Sequence, residues 1–235
     1  MIALSAVASS ALAGRNAIDV RVRLAGETAW LDSLDYVGIP GAGGAHIEVA
    51  VFYERSFGYG FAGAMHNVVT TGWDAAIDVP MLLDRSDSSQ HPDGRQGQFN
   101  FPPQRQSAYT TGADLGTLRI ATANNTQNAL GGGIDVFQRS PLGGGTNFDA
   151  SNPALGFRFD LLLGERGLGI QTTYSLDTQR VASFRVYADE NSTTGVPPFL
   201  PPEIDGAVIR TVWIPAPGTA GIFAIASSLW LRRRR

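Results

Sequence analysis

The sequence predicts an all-β protein, built as one antiparallel β-sandwich or jelly-roll-like domain over residues 15–213. Three observations predict this class. Apolar and polar residues alternate with a period of two in short runs, turns rich in Gly, Asn and Asp separate the runs, and no twelve-residue window carries a helical stripe. Such alternation is typical of antiparallel sheets, in which one face meets a core and the other meets water.

Eight runs, all but the third with clear alternation, mark strands of this sandwich, for which we expect about nine or ten strands in all. The first is the most regular, since Ile18, Val20 and Val22 alternate with charged residues. Because successive side chains of a strand point to opposite faces, each run supplies one apolar face for a core. In chain order the runs cover residues 18–24, 46–54, 64–71, 118–120, 134–136, 157–161, 183–187 and 208–213.

The segment 84–116 interrupts the pattern because it is long, polar and poor in aliphatic residues. We expect a long surface loop, which is either functional or a floppy insert. Asp84, Asp87 and Asp93 in this segment offer carboxylate oxygens, the ligands that Ca²⁺ prefers, so they form a candidate calcium site. Their spacing does not match a helix-loop-helix calcium loop, and solvated acidic turns are the alternative interpretation.

The charge of the chain is unevenly distributed. All 18 basic residues are arginine, and four of them are the last four residues, 232–235. The fourteen remaining arginines face all 21 acidic residues, which leaves the body with a net charge of −7. A body of this charge argues against nucleic acid as a partner, because binding phosphates needs a basic face. The absence of cysteine excludes disulfides, zinc–thiolate sites and cysteine nucleophiles.

No catalytic constellation can be recognised, so we expect a protein that is not an enzyme. His46, His66 and His91 are too far apart in sequence for a metal motif and are interpreted as isolated structural or surface residues. Glu48 and Glu54 lie six residues apart on one strand face, roughly 20 Å, which is too far for the carboxylate pair of a glycosidase. No nucleophile elbow or phosphate loop occurs either.

Aromatic residues recur at alternate positions in one predicted extended stretch. Phe57, Tyr59 and Phe61 would share a face there. Exposed aromatic rings can stack on sugar rings, so these three residues form a candidate glycan-binding site. The alternative is that they pack in the core.

The first thirteen residues, MIALSAVASSALA, resemble a secretory signal. They are apolar and uncharged, and Ala11 and Ala13 match an Ala-x-Ala cleavage site. The positive charge that usually precedes such a segment is missing, since the first basic residue is Arg15. A short N-terminal helix or a core strand is the alternative.

Residues 214–235 read as a C-terminal hydrophobic helix with a basic end. No charge occurs from Ile214 to Leu231, and Arg232 to Arg235 follow. A helix that begins after Pro217 would hold about 15 residues and measure roughly 22 Å, which is marginal for a bilayer core of about 30 Å. Because positive charge stays on the cytoplasmic side, the acidic body would lie outside. A buried helix of the domain is the alternative.

The pieces of this tail resemble the PEP-CTERM sorting domain. They are Pro215-Ala216-Pro217, the uncharged span 218–231 that starts at Gly218, and the basic residues Arg232, Arg233, Arg234 and Arg235. The family has Glu at the position of Ala216. The resemblance implies a protein exported by a bacterium that makes exopolysaccharide, whose tail an exosortase-type membrane transpeptidase recognises and removes.

Together these features predict an exported envelope or matrix-associated protein with a structural or adhesive role. It would pass through an intermediate anchored in the inner membrane and then reach the cell surface or the extracellular matrix. The alternative is a carbohydrate-binding or carbohydrate-active jelly roll that acts on surface polysaccharide. A calcium-stabilised surface module is a further option. Apart from calcium, no cofactor is expected.

Overall fold

The computed structural model describes residues 14–84, 107–111, 117–122, 134–136, 141–144 and 151–216. In these ranges the chain forms strands and a single helical turn, α1 (Pro141–Gly144). The strands are β1 (Ala17–Leu24), β2 (Ser33–Gly38), β3 (Ala45–Glu54), β4 (Gly60–Thr71), β5 (Val79–Asp84), β6 (Ser107–Thr111), β7 (Thr117–Thr122), β8 (Ile134–Val136), β9 (Ala154–Leu163), β10 (Thr172–Tyr187), β11 (Glu203–Asp205) and β12 (Ala207–Trp213).

The strands form two sheets. The five-stranded sheet has the order β11-β1-β3-β9-β5, and the seven-stranded sheet has the order β2-β12-β10-β4-β7-β6, with β8 also paired to β4. The all-β prediction is confirmed, and each of the eight runs lies inside a strand. Four strands were not predicted, namely β2, β5, β6 and β11.

The prediction of purely antiparallel sheets is wrong. β1 pairs with β11 in parallel, and β12 pairs with β2 in parallel. Parallel neighbours need long crossover connections, and both of these pairs join strands from opposite parts of the chain. Alternation within one strand carries no information about the direction of a distant neighbour, so the sequence could not reveal these two pairs.

The core lies between the facing sides of the two sheets. Ile18, Val20 and Val22 of β1 are completely buried, and so is Ile209 of β12. Each such side chain contributes about 1.5–3 kcal/mol relative to an exposed position. The period-two pattern of the sequence is therefore the pattern of this core.

An aromatic contact joins the two sheets inside the core. Tyr53 of β3 stacks on Phe61 of β4 with ring centroids 4.2 Å apart, and its hydroxyl lies 2.6 Å from Nε2 of the buried His66. Gly156 makes room for the tyrosine ring, because a Cβ there would lie 2.0 Å from Cε2 of Tyr53. His66 is thus one of the structural histidines that the sequence predicts.

The polar segment 84–116 is not a continuous loop. Asp84 ends β5, and Ser107–Thr111 forms β6, which pairs with β7. The residues between Asp84 and Ser107 and those from Gly112 to Gly116 lie outside the described part of the chain. Thr and Tyr favour strands, but the polar residues that precede Ser107 concealed this short run.

Replacing Gly72 with alanine is expected to cost more stability than replacing Gly26 with alanine. Both glycines have a positive φ, 82° and 88°, which L-residues rarely adopt. A Cβ on Gly72 would lie 2.2 Å from the backbone oxygen of Thr173, whereas one on Gly26 would have nothing within 4 Å. We expect a loss of about 1 kcal/mol for Gly26→Ala and about 2–4 kcal/mol for Gly72→Ala in urea unfolding. Equal losses would contradict this view of the Gly72 turn.

Candidate functional site

Residues 196–202, which we call the strap, connect the two sheets at one end of the sandwich. Their sequence is Val-Pro-Pro-Phe-Leu-Pro-Pro. Val196 exchanges two backbone hydrogen bonds with Val186 of β10 (2.8 and 2.9 Å), and just after the strap the N–H of Glu203 donates to the oxygen of Asn16 (2.8 Å). The four prolines between these points have no N–H, so the strap cannot pair along its length as a strand.

A groove of about 560 Å³ lies between the strap and β10, and we call it the proline groove. Its volume falls within the range of roughly 300–1,000 Å³ that is usual for small-ligand sites. The pairing of β10 with β4 shifts register between Gln179 and Ala182 and again before Arg185, and such bulges bend a strand. The lining residues are Thr178, Val181, Phe184, Arg185, Pro197, Pro198, Phe199, Pro201, Pro202 and Ile204.

The walls of the proline groove are mostly apolar, with a single guanidinium group among them. Phe199 is 96% exposed, and its ring centroid lies 5.9 Å from that of Phe57. The guanidinium of Arg185 donates to the backbone oxygen of Gly195 (3.2 Å), which holds it at the edge of the groove. The planar ring of phenylalanine and the apolar rings of the prolines offer a surface for the apolar face of a sugar or for another ring.

The three aromatic residues predicted to bind glycan do not share a face. Phe61 is 1% exposed and belongs to the core, so it cannot stack on a ligand, whereas Tyr59 is 42% exposed. The extended stretch is broken at Gly58, whose φ is 85°. Phe57 nevertheless contacts Phe199, and Phe61 packs on Phe184 with centroids 5.4 Å apart. Two of the three residues therefore support the proline groove from behind or from its rim.

The proline groove was not predicted from the sequence. Its prolines were visible in the segment 196–202, but nothing in the sequence showed that this segment faces the bulged part of β10. Two proline pairs on either side of Phe199 and Leu200 are the signal that could have pointed to it.

A cluster of charged side chains lies on the outer side of the five-stranded sheet, and we call it the charged face. Arg23 is central to it: its guanidinium lies 4.1 Å from the ring centroid of Trp30 and donates to the carboxylate of Glu48. Nη1 of Arg158 lies 3.8 Å from the other oxygen of Glu48. Glu48 is therefore fully occupied by its own neighbours.

Two further carboxylates of the charged face are also paired. Asp160 lies 3.4 Å from Nε2 of His46, and Asp19 lies 2.6 Å from the guanidinium of Arg21. Burial raises the pKa of Asp160, and the charge of Glu48 acts in the same direction. Burial likewise raises the pKa of Asp19, against the opposing charge of Arg21. Because these charges compensate one another, the charged face offers little to a charged ligand.

The opposite end of the sandwich holds the start of β3 and the ends of β2, β9 and β12, and we call it the tail end. Here the chain leaves β12 at Ile214. Glu165 accepts hydrogen bonds from the N–H groups of Gly41 (2.9 Å) and Gly43 (3.0 Å), which lower the pKa of its carboxyl. This carboxylate fixes the loop between β2 and β3.

A buried ion pair closes the same end. The carboxylate of Asp78 accepts hydrogen bonds from Nη2 of Arg166 (3.0 Å) and from the N–H of Gly164 (2.8 Å). Its side chain is completely buried, and its amide partners satisfy the oxygens that the arginine leaves open. The 164–171 loop is thereby held against the sandwich.

Most residues of the predicted signals lie outside the described part of the chain. Pro215 and Ala216 follow β12 and end the described region. The residues outside it are Ala11, Ala13, Asp87, Asp93, Pro217, Gly218, Arg232, Arg233, Arg234 and Arg235. Asp84 is placed opposite Arg158 in the β5–β9 pairing. The cleavage, sorting and calcium sites therefore stay predictions.

Two kinds of feature are absent from the described residues. In those ranges, no helix has the length and hydrophobicity to cross a membrane. The same ranges hold no group of three or more His, Asp or Glu side chains that could bind a metal ion.

Comparison with known proteins shows similarity only at the level of solved structures. No family model and no curated protein matches the chain. One similar structure is the Coh-OlpA–Doc918 type I cohesin–dockerin complex of Clostridium thermocellum, with a TM-score of 0.39, 11% identity, and 85% of this chain and 100% of that chain covered. The Coh-OlpC–Doc435 complex of the same organism has a TM-score of 0.41 at 8% identity, and the match covers 88% of this chain and 100% of that chain.

A third similar structure is a cohesin module from a family 33 glycoside hydrolase of Clostridium perfringens. Its TM-score is 0.39 at 10% identity, and the match covers 84% of this chain and 98% of that one. Similarity this weak transfers neither ligand nor partner to this chain. Its function has to be argued from its own geometry.

The carboxyl of Glu165 is expected to titrate below its ordinary value of 4.5 in the folded protein. Because the pKa is lower in the folded state than in the unfolded state, the two hydrogen bonds to Glu165 stabilise the fold above the unfolded pKa. This stabilisation is lost as the pH falls through the lowered folded pKa. NMR should show the amide signals of Gly41 and Gly43 moving with the same midpoint as the carboxyl. In Glu165→Gln both amide transitions should disappear. Amide signals that do not change as the carboxyl titrates would contradict the two hydrogen bonds to Glu165.

Proposed function

We propose that this chain is an exported, non-catalytic adhesive module of a bacterial envelope, held at the membrane by its C-terminal segment. In this proposal the proline groove is the ligand-binding surface and residues 214–235 are a PEP-CTERM-like sorting signal. The observation that carries the proposal is the position of the groove, which lies at the end of the sandwich opposite the point where the chain leaves toward that segment.

The polarity of the sandwich follows from β3. This strand starts at Ala45 in the tail end and finishes at Glu54, whose neighbour Arg15 also binds Glu203 just after the strap. Its ten residues span about 30 Å at about 3.3 Å per residue. Along β10, Thr178 of the groove lies six residues beyond Thr172, the partner of Thr211, so about 20 Å separates the groove from the exit of the chain.

The tail would orient this axis relative to a membrane. An uncharged run ending in four arginines keeps its basic side in the cytoplasm, which places the acidic body on the outer side. With the tail end toward the bilayer, the proline groove points away from it. This is the arrangement that a surface adhesion module requires, because its ligand approaches from outside.

The chemistry of the groove supports binding over catalysis. Among its described lining residues, Arg185 is the only one with a titratable side chain. Hydrolysis by acid–base chemistry needs groups that can exchange a proton with the substrate, whereas an arginine guanidinium stays protonated. An exposed aromatic ring among prolines instead resembles the apolar anchor of a recognition surface.

The orientation can be tested in cells of a bacterium that exports the chain. We expect protease added to intact spheroplasts to digest the body. Replacing Arg232 to Arg235 with glutamine should reduce the fraction retained in the membrane, since each arginine costs about 2.5–3.5 kcal/mol to move through the bilayer centre. Arg210→Gln, at an exposed arginine of the body, is the matched control. Full-length protein in the cytosol with both ends uncut would refute export.

A second candidate is carbohydrate binding, and the exposure of Phe199 favours it. Its ring is 96% exposed beside Phe57, which is the geometry of a stacking platform for a pyranose ring. Surface polysaccharide would then be the ligand of the same groove.

Phe199→Ala is expected to weaken ligand binding without affecting folding. Loss of the stacking ring should lower the affinity at least tenfold, about 1.4 kcal/mol, in a glycan array followed by calorimetry on the best ligand. The melting temperature should not move, because the side chain is almost fully exposed. Met81→Ala, at a 47% exposed residue of β5, should leave both unchanged. Absence of binding by the unmodified protein to every glycan would reject the carbohydrate candidate and leave adhesion to protein.

A further inference from the structure

We propose that the tail end of the sandwich contacts the lipid surface directly, through a rim of exposed aliphatic side chains. The rim consists of Ile39, Leu168, Ile170 and Ile214, which are 49%, 60%, 56% and 45% exposed. This contact rests on the membrane tether proposed above, and it adds an interaction surface and a fixed orientation of the body on the bilayer.

Backbone hydrogen bonds hold the rim residues side by side. The N–H of Ile214 donates to the oxygen of Gly38 (3.0 Å), which places Ile214 beside Ile39. On the other side, the N–H of Gly169 donates to the oxygen of Trp213 (2.8 Å), and Leu168 bridges to Trp213. These contacts bring three adjacent chain segments together at the tail end, with the four rim residues on them.

The rim side chains contribute little to the packing of the core, because each of them is about half exposed. Trp213, next to Ile214, is completely buried, so the core is already closed at this end. Exposed aliphatic side chains gathered at one place mark an interaction surface more often than scattered ones do. Here they gather where the chain leaves for its hydrophobic segment.

The length of the connection limits where the rim can lie. Only Pro215, Ala216 and Pro217 separate Ile214 from Gly218, where the apolar run continues. Four steps at about 3.3 Å each reach about 13 Å. The headgroup layer on each side of a bilayer is roughly 5–8 Å thick. Once the run is in the membrane, the rim is therefore held at the interface or within a few ångströms of it.

Lipid is the occupant that the charges of this end allow. Two carboxylates of this end, those of Glu165 and Asp78, are bound by its own backbone amides. Asp78 is also neutralised by Arg166. The Asp78–Arg166 pair therefore presents no net charge to the headgroups. Aliphatic side chains at the boundary between headgroups and acyl chains gain free energy from the area they bury.

Site-specific labelling can test this contact, because the chain contains no cysteine. Leu168→Cys and Ile170→Cys would each carry an environment-sensitive fluorophore in the full chain, reconstituted in phosphatidylethanolamine and phosphatidylglycerol vesicles. We expect blue-shifted emission and at least twofold quenching by lipids with a nitroxide near the headgroup. Phe199→Cys, labelled at the far end, should show neither effect.

A label at Ser227→Cys, in the hydrophobic run, separates failure of the rim contact from failure of the tether. Quenching of Ser227 by a deep nitroxide with no quenching at Leu168 or Ile170 would overturn the rim contact and leave the tether standing. No quenching at any of the three would refute the tether itself. A blue shift at Leu168 that persists without lipid and depends on protein concentration would show a second copy on the rim, and would also overturn the contact.

A double substitution gives an independent check. Leu168→Ser with Ile170→Ser should leave the quenching of Ser227 unchanged and increase the rotational mobility of the body on the vesicle, measured by fluorescence anisotropy of a label at Phe199→Cys. Unchanged mobility would contradict a role of the rim in orienting the body. Both replaced residues are more than half exposed, so the fold should tolerate them.

Discussion

The proline groove depends on hydrogen bonds that its strap cannot make. Proline has no N–H, and four of the seven strap residues are proline. The backbone of the strap is therefore fixed at Val196 and next to Glu203, and between these points the side chain of Asn16 donates a hydrogen bond to the oxygen of Leu200 (3.2 Å). A segment rich in N–H donors could have paired with the part of β10 that extends beyond β12, and it would then have closed the space that the groove occupies. The opening is thus a direct consequence of backbone chemistry.

The sandwich gives the molecule a direction. Long strands separate the exit of the chain at one end from an apolar groove, lined by proline and phenylalanine rings, toward the other end. Each end is stiffened in its own way: Tyr53, Phe61 and Phe184 pack beneath the groove, while Glu165 and Asp78 fix the loops of the tail end. A rigid body with distinct ends can hold a ligand at a set distance from a membrane.

The charged face shows why a dense cluster of functional groups need not be a site. Arg23, Glu48 and Arg158 satisfy one another, and an aromatic ring covers the guanidinium of Arg23. A ligand would have to break these contacts before it gained its own. The proline groove is poorer in polar groups, but its most exposed side chain, Phe199, stands in solvent. The two surfaces differ more in how exposed their side chains are to a ligand than in the variety of their chemical groups.

The sequence alone determined the fold class and eight strands, because alternation along a strand is set by burial of every second residue and is visible locally. It also defined the apolar run and arginine cluster on which the proposed tether depends. Only the tertiary structure decided the parallel pairs β1–β11 and β2–β12, the burial of Phe61 and the meeting of the strap with β10. Each of these joins residues far apart in the chain or depends on one bend at a glycine. A local pattern records which side chains avoid water, but it carries no record of the distant segment against which they do so.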